Sequence, residues 1–356
     1  MRVGILTSGG DCPGLNAAIR GVAKAAYEKI PNVEIIGIAD GYHGLIHGEY
    51  KTMQPSDFSG ILTLGGTILG TRRTPFKNMQ VVEEDNIDKL ANMKANYKKL
   101  KLDCLLTLGG NGTHKTANLL SENGLNVIGL PKTIDNDIWG TDVTFGFHTA
   151  VEIATDVIDR IHTTAASHSR VMVVELMGNK AGWLTLYSGI AGGADIILLP
   201  EMPFNPQKVF ESIDKRAKKG STFSIVAVAE GAVTQKEAKL KRKEIRNERL
   251  RLGFSHVGDM VADMIEKNTG IETRAVIPGH LQRGGSPCAY DRVLSTKFGV
   301  AAAKLISDGN FGNTVAYVNS SIAINKLSDV AGKTKFVPED CSMVKTAKYM
   351  GLSLGV

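Results

Sequence analysis

The order of apolar runs and amphipathic stretches predicts an α/β fold: two Rossmann-like, doubly wound lobes with mainly parallel sheets. Three observations carry that prediction. Short runs rich in Val, Ile and Leu recur along the chain without clean alternation, as in strands buried on both faces. Segments of helical period lie between them, and alternating β and α elements build parallel sheets. Glycine-bearing loops follow several of the strand candidates, where an α/β sheet holds its ligands. At 356 residues the chain exceeds one compact core and suits two domains.

Taken in order, Arg2–Thr7 is an apolar run that ends in Ser-Gly-Gly and leads to the helix Ala17–Lys29. The strand candidates Val33–Ala39, Asp103–Leu108 and Asn126–Leu130 follow. In Gly146–His162 the apolar positions Val151, Ala154, Val157, Ile158 and Ile161 recur at three- and four-residue steps, which predicts an amphipathic helix. Arg170–Leu176, Asp195–Leu199, Ser224–Val228 and Thr273–Ile277 complete the strand candidates. No Pro/Ser-rich linker separates the lobes. Short crossings near residues 146 and 280 are expected to join a lobe of residues 1–146 plus about 282–335 to one of residues 147–281 plus the C-terminal tail.

Apolar residues make up 43% of the chain and charged residues 22%, a globular composition. No window reaches the ~18 uninterrupted apolar residues of a membrane helix. Met1-Arg2 runs straight into the first strand candidate, so no signal peptide is expected. Cys12, Cys104, Cys288 and Cys341 lie far apart with no C-x-x-C pair. That spacing predicts reduced thiols in the cytoplasm rather than a disulfide or metal framework. The net charge of +6 suits nucleic acid or small anionic substrates alike. Much of the excess sits in Lys236–Arg251, KEAKLKRKEIRNERLR. Glutamates interrupt that run and no aromatics are present to stack bases, so it reads as a solvated helical insertion and not a nucleic-acid patch.

Six segments have the composition to carry chemistry. Thr7–Asn16 places Gly9 and Gly10 between the first strand and its helix, where backbone N–H groups can approach a phosphate closely. Leu64–Arg73 runs from Gly65-Gly66 and Gly70 into the pair Arg72-Arg73, a loop suited to polyphosphate. Leu108–Thr113 (LGGNGT) follows a buried-looking strand and precedes a helix beginning near His114. It is neither a Walker A loop nor G-x-G-x-x-G, yet suits a nucleotide's phosphates. Pro131–Asp137 (PKTIDND) packs two carboxylates, an amide and a hydroxyl together. Such a loop can hold a general base for a hydroxyl nucleophile, and equally forms an Asx-rich turn. Glu175–Asn179 alone reads as a turn. Gly279–Gly285 carries His280 and Arg283 beside glycines, a combination suited to a sugar phosphate.

Together these segments resemble the 6-phosphofructokinase family, in family order from about residue 1 to residue 307. LTSGGDCPGLNAAIRG, PKTIDND, AGGADIILLPE and GHLQRGGSP are its long, specific strings. The resemblance implies transfer of the γ-phosphoryl of ATP to the 1-hydroxyl of fructose 6-phosphate with Mg²⁺, in glycolysis. It implies that Gly10, Arg73, Thr74, Gly110, Asn111, Gly112 and Thr113 face the nucleotide. Asp135 would be the general base, with Thr133 and Ile134 beside it and Asp137 near the metal with Asn111. Met177, Gly178, Asn179, Glu230, His280, Leu281, Gln282 and Arg283 would hold the sugar phosphate. Arg170 and Arg274 match arginines that family members lend to a neighbour's active site, which implies a homo-oligomer, a tetramer or dimer.

The sequence departs from the pattern in informative places. Asn111 stands where the bacterial ATP-using enzymes carry an Asp that helps hold Mg²⁺; an amide oxygen can coordinate but brings no charge. Gly112 leaves space for the ATP α-phosphate, whereas Lys132 is typical of pyrophosphate users, a combination similar to the mixed-substrate subgroup. Steric exclusion is the harder constraint, so ATP is the expected donor and pyrophosphate the alternative. Asn179 replaces an arginine near the sugar phosphate. Arg20 matches one effector-site arginine but Lys24 and His162 replace two others, so allosteric control by ADP and phosphoenolpyruvate is expected to be altered or lost. The further alternative is a catalytically weak regulatory paralogue that binds the same ligands.

Overall fold

In the computed structural model, which describes residues 1–81 and 87–356, the chain forms two compact units. One comprises Met1–Thr149 and Arg283–Lys335, the other Ala150–Gln282 and Phe336–Val356. In chain order the strands are β1 (Arg2–Thr7), β2 (Glu34–Ile38), β3 (Tyr50–Met53), β4 (Cys104–Gly109), β5 (Val127–Pro131), β6 (Val171–Leu176), β7 (Ile196–Leu198), β8 (Ser224–Ala229), β9 (Thr273–Val276), β10 (Asn313–Val318) and β11 (Ser321–Lys326).

The first unit is built on a seven-stranded sheet of order β11-β10-β5-β4-β1-β2-β3. Its centre is parallel, with β1 between β2 and β4 so that Ile5 is in register with Gly37 and Leu106. Ile5, Leu6, Leu106, Leu108, Ile128 and Leu130 are all fully buried. Consecutive apolar residues are buried because helices cover both faces, which is why these strands lack alternation. Burying each such side chain contributes roughly 1.5–3 kcal/mol. The helix Leu15–Lys29 packs on Ala289–Ser307 at a glycine contact. A Cβ on Gly299 would lie 2.5 Å from the Ala18 carbonyl oxygen, so only glycine lets the two backbones approach this closely.

The second unit carries a four-stranded parallel sheet of order β7-β8-β6-β9. Met172, Val174 and Leu176 pack into one apolar cluster with Ile158 and Leu186. Val171 and Val173 join Phe210, Ile213, Val261 and Ile265 in another. Alternate residues of β6 therefore feed two cores.

All eight predicted strands form, with each end within one residue of its predicted place. The antiparallel edge strands β3 and β11 and the strand β10 were missed. β3 exposes Tyr50, Lys51 and Thr52, and β11 exposes Ser321, Ile322, Ile324 and Lys326, so neither shows a buried apolar run. The third loop's helix spans Asn111–Glu122 rather than starting near His114, which puts Asn111, Gly112 and Thr113 in its first turn. The amphipathic helix spans Phe147–His168 and outruns the predicted end at His162. Lys236–Arg251 forms a short 3-10 turn, Glu237–Lys239, and a helix, Arg242–Arg251. Most of its charges are exposed, but the reading of a simply solvated face is corrected at two places: Ile245 is buried and Arg249 pairs with Glu237. Among the described residues no helix is long and apolar enough to cross a membrane.

Candidate active site

In the first unit, β1, β4 and β5 lie side by side, so the loops at their carboxyl ends meet. Here the strand order reverses direction, the place where open α/β sheets bind ligands. The β1 loop turns through Gly9, with φ 87, and Gly14, with φ 106. Two cations reach it from distant sequence. Lys132 Nζ donates to the Gly10 carbonyl. Arg283 Nη1 donates to the Asp11 carbonyl at 3.1 Å, and its guanidinium lies over Gly10, where a Cβ would sit 2.6 Å from it. Lys132 is buried. Burial pulls its ammonium below the ordinary lysine range, and the Arg283 charge adds to that shift while the Asp135 and Asp11 charges oppose it. A buried ammonium and a guanidinium over bare backbone N–H groups form a receptor for phosphate oxygens.

The β5 loop is held rigid from within. Asn136, at φ 50, accepts from the Thr144 amide at 3.0 Å and donates to the Asp142 carbonyl at 3.2 Å. Thr144 Oγ1 donates to the Thr133 carbonyl at 2.7 Å, and the Asp135 amide donates to Thr133 Oγ1 at 3.1 Å. Thr133 and Ile134 are buried, whereas Asp135 is only half-buried, so its carboxylate can reach a ligand.

Asp137 is buried, and Asn111 Nδ2 donates to its Oδ2 at 2.8 Å. Burial first, and the neighbouring Asp135 charge second, push the Asp137 carboxyl up to about 7. Asn111 Oδ1 is buried and has no hydrogen-bond partner. An acceptor left unpaired beside a buried carboxylate is the donor set of a hard cation. Among the described residues no group of three or more His, Cys, Asp or Glu could hold a metal. Mg²⁺ commonly takes one or two carboxylates and completes its shell from substrate phosphates and water, so this pair fits it.

The helix Asn111–Glu122 opens at Gly110 with no side-chain cap, leaving its first N–H groups for a ligand. A Cβ on Gly112 would meet nothing within 4 Å. Thr113 is tied down by Tyr42 Oη, which donates to its carbonyl at 2.9 Å. His114, which sequence reasoning did not single out, is structural. Its ring lies 3.1 Å from the Gly110 carbonyl and 3.0 Å from Thr314 Oγ1, and burial lowers its pKa to about 4. Arg73 and Thr74 line a separate cavity of about 240 Å³ with His43, His47 and Asn78.

In the second unit, β8, β6 and β9 are adjacent and their carboxyl ends bring the other expected residues together. Glu230 Oε1 accepts from the Gly178 amide at 3.2 Å and the Asn179 amide at 2.7 Å. The Met177 amide donates to Gln282 Oε1 at 3.2 Å, and Gln282 Nε2 donates to the Gly279 carbonyl at 3.0 Å. Gln282 is buried and positions the loop, while His280 is exposed and Leu281 is 68% exposed. Arg170 and Arg274 do not join this group. Arg170 precedes β6, whereas Met177 follows it, a separation of about 20 Å along a six-residue strand. Both arginines instead pair with Glu272, Arg170 Nε at 2.8 Å from Oε2 and Arg274 Nη2 at 2.5 Å from Oε1. His162 is held by the Gly192 carbonyl at 2.7 Å and stacks edge-on against Phe223.

Backbone cradles, buried cations and a carboxylate with access to solvent are the parts of a phosphotransferase, whose chemistry rests on placing and neutralising phosphate. Residues 2–306 match the model of the phosphofructokinase family. The chain belongs to that family. It is 55% identical over 355 residues to the ATP-dependent 6-phosphofructokinase of Spirochaeta thermophila, covering 99% of this chain and 97% of that protein. It is 45% identical over 341 residues to the pyrophosphate–fructose 6-phosphate 1-phosphotransferase of Amycolatopsis methanolica, covering 96% of this chain and 97% of that protein. The solved phosphofructokinase of Saccharomyces cerevisiae superposes with a TM-score of 0.79 at 30% identity over 92% of this chain, which spans 45% of the yeast chain.

Proposed function

We propose that the chain is an ATP-dependent 6-phosphofructokinase of the cytoplasm, which moves the γ-phosphoryl of ATP to the 1-hydroxyl of fructose 6-phosphate. The observation that carries this reading is the meeting of Lys132 and Arg283 at the Gly9–Asp11 loop, with the accessible Asp135 three residues after Lys132. Gly10 and the Gly110–Thr113 turn receive the donor phosphates, and Arg73 and Thr74 flank the nucleotide. Asp135 removes the proton of the sugar hydroxyl as it attacks, Thr133 orienting it through the loop. Asn111 and Asp137 would hold Mg²⁺, which supplies neutralising charge on the donor phosphates when bound. Met177, Gly178, Asn179, Glu230, His280, Leu281, Gln282 and Arg283 bind fructose 6-phosphate. Arg170 and Arg274, too far along the sheet to serve their own loop, act on the site of a neighbouring copy in a homo-oligomer. Arg20 and Lys24 line a cavity of about 410 Å³ with Tyr27, Phe58 and Ser59, the place for an altered effector site.

A second reading, pyrophosphate as donor, is favoured by Lys132, whose ammonium reaches the phosphate loop. Parallel initial rates with ATP and with pyrophosphate, each with fructose 6-phosphate and Mg²⁺, separate them. Turnover with ATP alone is expected. Turnover with pyrophosphate alone would overturn ATP as the donor, and none with either would favour a regulatory paralogue.

A further inference from the structure

The basic helix Arg242–Arg251 has its first turn directed against the loop proposed to bind sugar phosphate. Arg242 Nη1 donates to Asn179 Oδ1 at 3.4 Å and its Nη2 donates to the Asn179 carbonyl at 3.3 Å. Asn179 is itself bound through its amide to Glu230. Arg242, Arg246, Asn179, Glu230 and His256 line one cavity of about 670 Å³. All of them belong to the second unit.

Helix stability does not explain this arrangement. Lys241, Arg242 and Lys243 crowd the N-terminal end of the helix, where the macrodipole disfavours cations. Glu244 is the acid of the first turn, and it is spent on the cap, accepting from the Lys241 amide at 2.8 Å. Of these three cations Arg242 lines the cavity, together with Arg246 and Arg249 of the same helix and the carboxylates of Glu175 and Glu230. Arg242 is the guanidinium of this group that reaches Asn179, and its planar fork suits the oxygens of a phosphate.

Resting on the reading of Met177–Asn179 and Glu230 as the sugar-phosphate loop, we infer that Arg242 supplies the guanidinium for the phosphate of fructose 6-phosphate beside Asn179. The charged insertion is thus a specificity element that completes the site. Its cation comes from a helix more than sixty residues away in sequence.

The test is steady-state kinetics of the full-length enzyme and its Arg242→Gln and Arg242→Lys variants, with Asn179→Arg introduced into Arg242→Gln. Arg242 is exposed, and circular dichroism and Tm verify that each variant keeps its fold. Loss of a charged hydrogen-bond donor is expected to raise KM for fructose 6-phosphate roughly 10- to 100-fold. The loss falls on ground-state binding, so kcat and KM for the phosphoryl donor stay within a few-fold. Arg242→Lys should show a smaller rise, and Asn179→Arg should recover most of the affinity by restoring the cation from the other side. An unchanged KM for fructose 6-phosphate in Arg242→Gln overturns the inference while leaving the functional reading intact. An unaltered enzyme that neither turns over nor binds fructose 6-phosphate overturns the functional reading and this inference with it.

Discussion

Asp135 and Asp137 show how two carboxylates in one loop acquire different tasks. Asp137 is buried against Asn111, whereas Asp135 keeps an open side and a Thr133-anchored backbone. Asp135→Ser is expected to lower kcat by ~10²–10⁴-fold with KM for fructose 6-phosphate within a few-fold. An unchanged kcat would remove Asp135 from the base role. Gly112 offers a sharper separation of function from stability. A Cβ there meets no atom within 4 Å, and the first turn of its helix holds no acid. Gly112→Asp should leave Tm unchanged or raise it slightly, since an acid in a first turn contributes about 0.3–1 kcal/mol. The same side chain enters the space proposed for the α-phosphate, so KM for ATP should rise at least ~10-fold by loss of a charge-assisted contact.

At the scale of an element, the insertion 236–251 is anchored by one bidentate pair. Arg249 Nε lies 2.7 Å from Glu237 Oε1 and Arg249 Nη2 lies 2.8 Å from Glu237 Oε2, with both side chains largely buried. Arg249 Nη2 also donates to the Ala232 carbonyl at 2.8 Å, and Glu237 accepts from the Thr234 amide at 2.9 Å. Burial pushes the Glu237 carboxyl up, but its bonds from Arg249 and Thr234 outweigh this and hold it below its ordinary value of 4.5. A depressed carboxyl stabilises the fold above its unfolded pKa and loses that effect as pH falls through the folded one. Glu237→Gln should therefore destabilise by roughly 1–3 kcal/mol at pH 7, since a charged partner is left behind. In urea melts of both proteins the difference should shrink steadily below about pH 4.5. A difference that is independent of pH would show that the pair's charge is irrelevant to its hold on the insertion.

For the whole molecule, the placement of Arg170 and Arg274 at the far end of β6 from Met177 makes an oligomer part of the proposed chemistry. Asp135→Ser and Arg274→Ser, each nearly inactive alone, should regain measurable activity when co-expressed as hybrids. Some sites then combine an intact Asp135 from one copy with an intact Arg274 from another. Hybrids that stay as inactive as their parents would confine Arg274 to its own chain.

The sequence by itself determined the central parallel strands, since Arg2–Thr7, Asp103–Leu108 and Asn126–Leu130 are apolar on both faces and buried on both. It also determined the loops at their carboxyl ends, because glycine, paired carboxylates and the order of motifs are local properties of the chain. The edge strands β3 and β11 stayed illegible, as a strand half open to water keeps polar residues and shows no apolar run. The start of the helix at Asn111 was equally hidden, since Asn, Gly and Thr favour a turn and only the packing of β4 and β5 draws them into helix. Tertiary structure alone decided that Lys132 and Arg283 reach the Gly9–Asp11 loop, that Asn111 faces Asp137, and that Arg242 lies against Asn179. These are pairings of residues tens to hundreds of positions apart. Periodicity and local propensity carry no record of such distances, which are set by the order of strands in a sheet and by the burial that order enforces.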